Sequence, residues 1–214
     1  MRALLLDLDG TLVDSEPAHR AAWRAFFASR GWHVDEDTYR RTFVGRRGAD
    51  VLATEPGPWA GEDPRALVEE VLSHLRETAR LARAAPGAGE LLRRARAAGV
   101  ALALVTSATR AWVDPALRQV LGVDAGAFDA EVTAESVAQG KPHPAPFALA
   151  CSLLGVPPAE AVAVEDSASG VRSAVAAGVG RVVGVETTTS ADLLRDAGAT
   201  QVVAHLDQVD VGAP

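Results

Sequence analysis

Ala3-Leu4-Leu5-Leu6-Asp7-Leu8-Asp9-Gly10-Thr11 joins an unbroken apolar run to two carboxylates set two residues apart. A run without polar alternation fits a strand covered on both faces, as in a parallel sheet. Carboxylates at the end of such a strand lose solvation and repel each other unless a cation or a reaction needs them. The segment therefore reads as a buried strand that delivers a reactive site.

The same pattern recurs downstream. Val100–Val105 runs into Thr106-Ser107, and Ala161–Val164 runs into Glu165-Asp166. Two further strands are expected at Arg181–Val185 and Gln201–Ala204. Helical patterns lie between them. Pro86-Gly87 opens one over Glu90–Ala98 that Gly99 closes, Pro144–Leu154 ends at Gly155, Ser169–Ala177 ends at Gly178, and another spans Ala191–Ala197. Alternation of this kind predicts an α/β fold, a Rossmann-like doubly wound parallel sheet. Such sheets bind ligands at the carboxyl ends of their strands, where all three polar groups stand.

Residues 15–83 break the alternation. Glu16–Arg30 reads as a helix with Trp23, Phe26 and Phe27 on its apolar face. Asp37–Phe43, a Gly/Arg-rich turn (Val44-Gly45-Arg46-Arg47-Gly48), a Pro/Gly-rich stretch and a helix near Pro64–Arg83 follow. No strand pattern is found there. The expected organisation is a core domain of residues 1–14 and 84–214, with an all-helical domain of residues 15–83 inserted after the first strand.

The chain of 214 residues is 48% hydrophobic and 23% charged, an ordinary globular composition. Its net charge of −7 argues against nucleic acid or an anionic membrane as partner. No apolar stretch approaches the length of a membrane span, and the start has no signal-peptide layout, so a cytoplasmic protein is expected, and a monomer. The lone cysteine, Cys151, sits in an apolar helix pattern and reads as a small buried hydrophobe. Of 21 basic residues only Lys141 is a lysine, which suggests that its position needs a compact charge on a flexible stem.

These groups suit phosphoryl transfer. Asp7 is placed as a nucleophile and Asp9 as a general acid/base, since carboxylates attack phosphoryl groups to give an aspartyl-phosphate that water later hydrolyses. Glu165-Asp166, with Asp7, suits a hard oxygen-liganded cation such as Mg²⁺. Thr106 and Ser107 can hold phosphate oxygens, and Lys141 can neutralise phosphate and aspartate together.

Asp7-Leu8-Asp9-Gly10-Thr11-Leu12-Val13-Asp14, Val105-Thr106-Ser107-Ala108, Gly140-Lys141-Pro142-His143-Pro144 and Glu165-Asp166-Ser167-Ala168-Ser169-Gly170 resemble, in order, the four motifs of the haloacid dehalogenase superfamily. They are similar to its phosphatase and β-phosphoglucomutase-like branch. The resemblance implies Asp7 as nucleophile, Asp9 as acid/base with its main-chain carbonyl on Mg²⁺, and phosphate binding by Thr106, Ser107 and Lys141. It also implies Asp166 as a metal ligand with Glu165 in support. The helical insertion would be the cap that closes over the substrate. A Mg²⁺-dependent phosphatase acting on a small phosphorylated metabolite, a sugar or polyol phosphate, is the expected function.

Within the family the rival is a β-phosphoglucomutase-like enzyme. Those mutases carry an arginine three residues after the cap-turn glycine, where this chain has Gly48. Dehalogenases lack an Asp at the place of Asp9, and phosphonoacetaldehyde hydrolases need a cap lysine that is missing here. A non-catalytic binding protein would be expected to lose Asp7, Lys141 or Asp166, yet all are present. Some residues stay open. His19 either faces the site and tunes Asp9 or is a surface histidine, and Arg46 and Arg47 either contact the substrate or are solvated. His143 reads as a loop histidine. Trp23, Trp32, Trp59 and Trp112 read as packing residues.

Overall fold

The apolar runs become strands because their side chains alternate between two buried faces. The computed structural model describes residues 1–44 and 46–212, with residue 125 by its backbone only. In chain order the elements are β1 (Ala3–Leu6), β2 (Val13–Asp14), α1 (Glu16–Ser29), α2 (Glu36–Thr42), α3 (Gly48–Thr54), α4 (Pro64–Thr78), β3 (Arg83–Ala84) and α5 (Ala88–Ala97). Then come β4 (Ala101–Val105), α6 (Arg110–Pro115) with a π-helical continuation over Ala116–Leu121, β5 (Ala130–Val132), α7 (Ala145–Leu154), β6 (Ala161–Glu165), α8 (Ala168–Ala176), β7 (Arg181–Val185), α9 (Ala191–Asp196) and β8 (Gln201–Val203).

Six strands form one parallel sheet in the order β5-β4-β1-β6-β7-β8. The chain winds outward from β1 in both directions, so β1 is central and the ends of β1, β4 and β6 lie side by side. Leu4 and Leu6 face one apolar cluster with Leu102, Leu104, Val162 and Val164. Ala3 and Leu5 face another with Ala103, Val105, Ala161 and Ala163, which Phe147, Cys151 and Val171 of α7 and α8 cover. The two-residue period of a strand produces this split.

α1 to α4 lie between β2 and β3, which pair antiparallel as a two-stranded ribbon joining the helical insertion to the sheet domain. The insertion's core is aromatic. Trp23, Phe26, Phe27, Phe43 and Trp59 are all buried, with ring centroids 4.3 Å apart for Trp23 and Phe43 and 5.6 Å for Phe26 and Phe27. The same apolar cluster continues from this core to Leu91, Leu92 and the Leu4 face of the sheet.

Three sequence expectations change. The last insertion helix ends at Thr78 rather than Arg83, because a 3₁₀ turn follows and Arg83 pairs with Asp14 as strand. β5 went unnoticed because it is a three-residue edge strand with Glu131 at its centre. α6 and its π-helical continuation were hidden by Pro115, which lies inside the helix and removes one amide donor. Gly45 of the Gly/Arg-rich turn lies outside the described residues. Among those residues no helix is long and apolar enough to cross a membrane.

Phe26 is fully buried and contacts Trp23, Phe27 and Trp32, so Phe26→Ala removes both transfer energy and packing. We expect it to lower unfolding stability by about 3–5 kcal/mol, measured from the urea midpoint.

Candidate active site

Asp7 follows β1, Glu165 closes β6 and Val105 closes β4, so adjacent strand ends set three polar groups around one point. Lys141 reaches that point from the loop between β5 and α7. Its Nζ donates to Asp7 Oδ1 at 2.6 Å, to the Val105 carbonyl at 2.8 Å and to Glu165 Oε1. A lysine ammonium has three donors, and all three are engaged. Glu165 Oε2 accepts from Ser167 Oγ at 3.0 Å, so both its oxygens have partners. Gly170 leaves room for that carboxylate, since a Cβ there would come within 2.1 Å of either oxygen.

Asp7, Glu165 and Asp166 are buried, and one carboxylate oxygen from each lies within 4.8 Å of the others. Burial, then the charges of Glu165 and Asp166, push the Asp7 carboxyl well above its ordinary range against the pull of Lys141. Asp166 is pushed up to about 7, first by burial and next by Glu165. Its oxygens accept from Thr11 Oγ1 at 3.4 Å and from Thr188 Oγ1. Gly10 stands against it with φ +86°, and a Cβ there would meet Asp166 Oδ2 at 2.0 Å. Buried carboxylates with raised proton affinity form an all-oxygen donor set that a divalent cation would relieve.

Asp9 occupies a different environment two residues on. Its Oδ1 accepts from Ser15 Oγ at 2.6 Å and from Trp112 Nε1 at 2.7 Å, with His19 Nε2 at 3.1 Å. Burial would raise this carboxyl, but His19, Ser15 and Trp112 outweigh it and hold Asp9 below the usual range. His19 is pulled the other way: burial would lower it, and Asp9 raises it. Ser15 is the N-cap residue of α1, yet its side chain makes no capping bond because it serves Asp9 instead.

A cavity of about 1080 Å³ separates the strand ends from the insertion. Asp7, Asp9, Thr106, Ser107 and Asp166 line one side, and His19, Arg46 and Arg47 the other. Lys141 and Glu165 are absent from its wall and stand behind Asp7. The Ser107 hydroxyl is buried without a partner among the described residues, whereas the Thr106 hydroxyl accepts from the Ala108 amide at 3.0 Å and shapes the loop. Arg46 donates to Glu55 at 2.7 Å, and Arg47 leans toward the Val137 carbonyl at 3.5 Å.

A family model described as haloacid dehalogenase-like hydrolase matches residues 1–178. The chain belongs to the haloacid dehalogenase-like hydrolases. Relatives agree. Validoxylamine A 7'-phosphate phosphatase of Streptomyces hygroscopicus subsp. limoneus is 34% identical over 197 residues, covering 92% of this chain and 91% of the relative. Hexitol phosphatase A of Escherichia coli is 34% identical over 214 residues, covering 98% and 94%. The crystal structure of CbbY from Rhodobacter sphaeroides in complex with phosphate superposes with a TM-score of 0.85 at 29% identity, over 97% of this chain and 96% of that one.

In this haloacid dehalogenase-like hydrolase, Ser15, Trp112 and Thr188 went unnoticed as site residues. Ser15 reads as an ordinary helix cap, Trp112 as packing, and Thr188 belongs to no motif. Only the folded chain brings each to a carboxylate.

Lys141→Met keeps the aliphatic stem and removes the charge that balances Asp7 and Glu165. We expect a stability loss of about 3–5 kcal/mol near pH 8, shrinking near pH 5 as the stranded Asp7 carboxyl takes up a proton. Urea unfolding at the two pH values checks it.

Proposed function

We propose that this hydrolase is a Mg²⁺-dependent phosphatase that cleaves a small phosphorylated metabolite, a sugar or polyol phosphate, through an aspartyl-phosphate on Asp7. The observation that carries the reading is Asp7 itself, buried against Lys141 with its carboxylate on the wall of the cavity. The named functions of the relatives, validoxylamine A 7'-phosphate phosphatase and hexitol phosphatase A, support the substrate class.

In the first half-reaction Asp7 attacks phosphorus, the bond from phosphorus to the alcohol oxygen breaks, and Asp9 gives that oxygen its proton. In the second, water attacks the phosphoryl group, the bond to Asp7 breaks, and Asp9 takes the water's proton. Ser15, His19 and Trp112 favour the ionised Asp9 that the second half requires. A phosphate dianion beside Asp9 favours the protonated form that the first half requires. Lys141 acts from behind, holding Asp7 in place and offsetting its charge, because its three donors are already engaged. Ser107, whose hydroxyl has no partner among the described residues, and Thr106 would bind phosphate oxygens.

Asp7, Asp166 and the main-chain carbonyl of Asp9 would hold Mg²⁺, with Glu165 supporting through Lys141. The ion would supply positive charge that offsets carboxylate repulsion and neutralises phosphate oxygens. The helical insertion, residues 15–83, would act as a cap that keeps water out, with His19, Arg46 and Arg47 on the leaving-group side. Phosphatase is favoured over mutase at Gly48. A Cβ there would lie 3.1 Å from Trp23, leaving little room for the mutase arginine.

We expect hydrolysis of p-nitrophenyl phosphate that Asp7→Asn and chelation both abolish, a loss of at least about a thousandfold. Activity persisting in Asp7→Asn after rigorous purification would refute the nucleophile. A screen of phosphorylated sugars and polyols would define the substrate.

The Asp166 carboxyl, ordinarily near 3.8, is held at about 7 without metal, so the folded state keeps a proton that the unfolded chain releases. Its contribution to metal-free stability therefore falls as pH rises from about 4 to about 7. Above that range the Asp166 proton no longer competes with the cation. Mg²⁺ at about 100 times its Kd would stabilise by about 2.7 kcal/mol. We expect the Mg²⁺-induced rise in Tm to be larger near pH 8 than near pH 5.5, measured by thermal melts with and without the ion.

A further inference from the structure

Three donors meet on a single oxygen of Asp9, and they come from two parts of the fold. Ser15 caps α1 and His19 lies on α1, the first helix of the insertion. Trp112 comes from α6 on the sheet side, one turn beyond the Thr106-Ser107 loop. Its indole is buried, and its ring meets the His19 ring edge-on at 5.2 Å and 72°. A buried indole N–H needs an acceptor, and this one takes a carboxylate oxygen of the site at 2.7 Å.

The chemistry of that atom adds a constraint. An indole N–H donates and never accepts, whereas a serine hydroxyl can do either and a histidine nitrogen depends on its tautomer. Trp112 therefore marks Oδ1 as an acceptor in every protonation state of Asp9. None of the three bonds uses Oδ2. A proton carried by Asp9 then belongs on Oδ2, and Asp9 lines the cavity where the leaving oxygen would sit.

We infer that Trp112 is a positioning residue for Asp9, fixing Oδ1 as the anchored oxygen so that Oδ2 exchanges the proton with the leaving alcohol and, later, with water. The inference rests on the reading of Asp9 as the acid/base. It assigns to α6 a part in proton transfer that the sequence motifs do not contain. The π-helical continuation of α6 packs on β2 and β3, which ties the helix to the ribbon carrying the insertion.

A leaving group of low basicity departs without a proton, and one of high basicity needs it. Comparing kcat/KM for p-nitrophenyl and phenyl phosphate isolates this dependence, because kcat/KM reports the chemistry up to departure of the phenol. The two esters have nearly the same shape, so changes in binding largely cancel in their ratio. We expect Trp112→Phe to lower kcat/KM for phenyl phosphate about tenfold more than for p-nitrophenyl phosphate, a fraction of what a general acid contributes. Replacing the indole by its sulfur isostere, benzothienylalanine, removes the N–H while keeping the shape, and should give the same change of ratio if Trp112→Phe folds poorly.

An equal fall for both esters, or no fall in either, in the isostere would overturn the inference. In the first case Trp112 supports the fold alone, and in the second its N–H merely finds an acceptor. Asp9→Asn separates the two levels. If it leaves the ester ratio at the wild-type value, the acid/base reading itself fails. If it changes the ratio while the Trp112 variants do not, only the role of Trp112 fails. Adding Trp112→Phe to Asp9→Asn should change the ratio by less than about twofold, since the two act through one carboxylate. A further large change would show that Trp112 acts by another route.

Discussion

One buried ammonium holds the strand ends together. Asp7, Glu165 and Asp166 crowd into a space where oxygens lie within 4.8 Å, and Lys141 is the cation that donates to two of them. Like charges that close, taken out of water, would otherwise keep their protons or push the strands apart. The sheet order makes the arrangement possible, because β1 lies between β4 and β6 and their ends offer Asp7, the Val105 carbonyl and Glu165 to the same Nζ. One cation does not cancel three carboxylates. The raised proton affinity of Asp7 and Asp166 is the remainder, and it is what fits the site to a second, divalent charge.

The same physics separates two aspartates that are nearly adjacent in sequence. Asp7 is shifted up first by burial and then by its carboxylate neighbours, and Asp9 is shifted down because His19, Ser15 and Trp112 outweigh its burial. Their positions explain the difference. Asp7 continues the line of β1 into the ring of strand ends, whereas Asp9 turns toward α1 and α6. The roles proposed for them, a nucleophile beside a cation and an acid/base that exchanges protons, would need different surroundings. A two-residue step at the end of one strand supplies both.

Much of this was legible in the sequence because it is local. Unbroken apolar runs fix β1, β4 and β6, and the residues just beyond them are the ones that converge, so Asp7, Thr106, Ser107, Glu165 and Asp166 could be named from strand ends alone. Lys141 could be singled out by its rarity. The features that escaped depend on long-range geometry. Periodicity says that Trp112 is buried but not that its N–H meets a residue 103 positions away. The Arg46–Glu55 pair needs the turn between α2 and α3 to be folded before it is visible. β5 is too short and too polar to outweigh noise in a single sequence.

Asp9 is also a place where the insertion and the sheet domain meet in polar contact. Thr78 Oγ1 donates to the Ala18 carbonyl at 2.9 Å, so the first and last insertion helices are tied to each other and α1 carries that whole unit with it. Ser15 and His19 therefore report the position of the insertion to Asp9, while Trp112 reports the position of the sheet domain. A displacement of α1 would strip the carboxylate of two donors and leave one. A carboxylate with one donor turns more freely about its terminal torsion than a carboxylate held by three, because that torsion is broad and set by its partners. Proton transfer tolerates little such freedom, since it requires the heavy atoms within hydrogen-bond reach. The geometry thus makes the Asp9 carboxylate best ordered when the insertion sits over the cavity, and the bond from α6 is the part of that order which does not depend on α1.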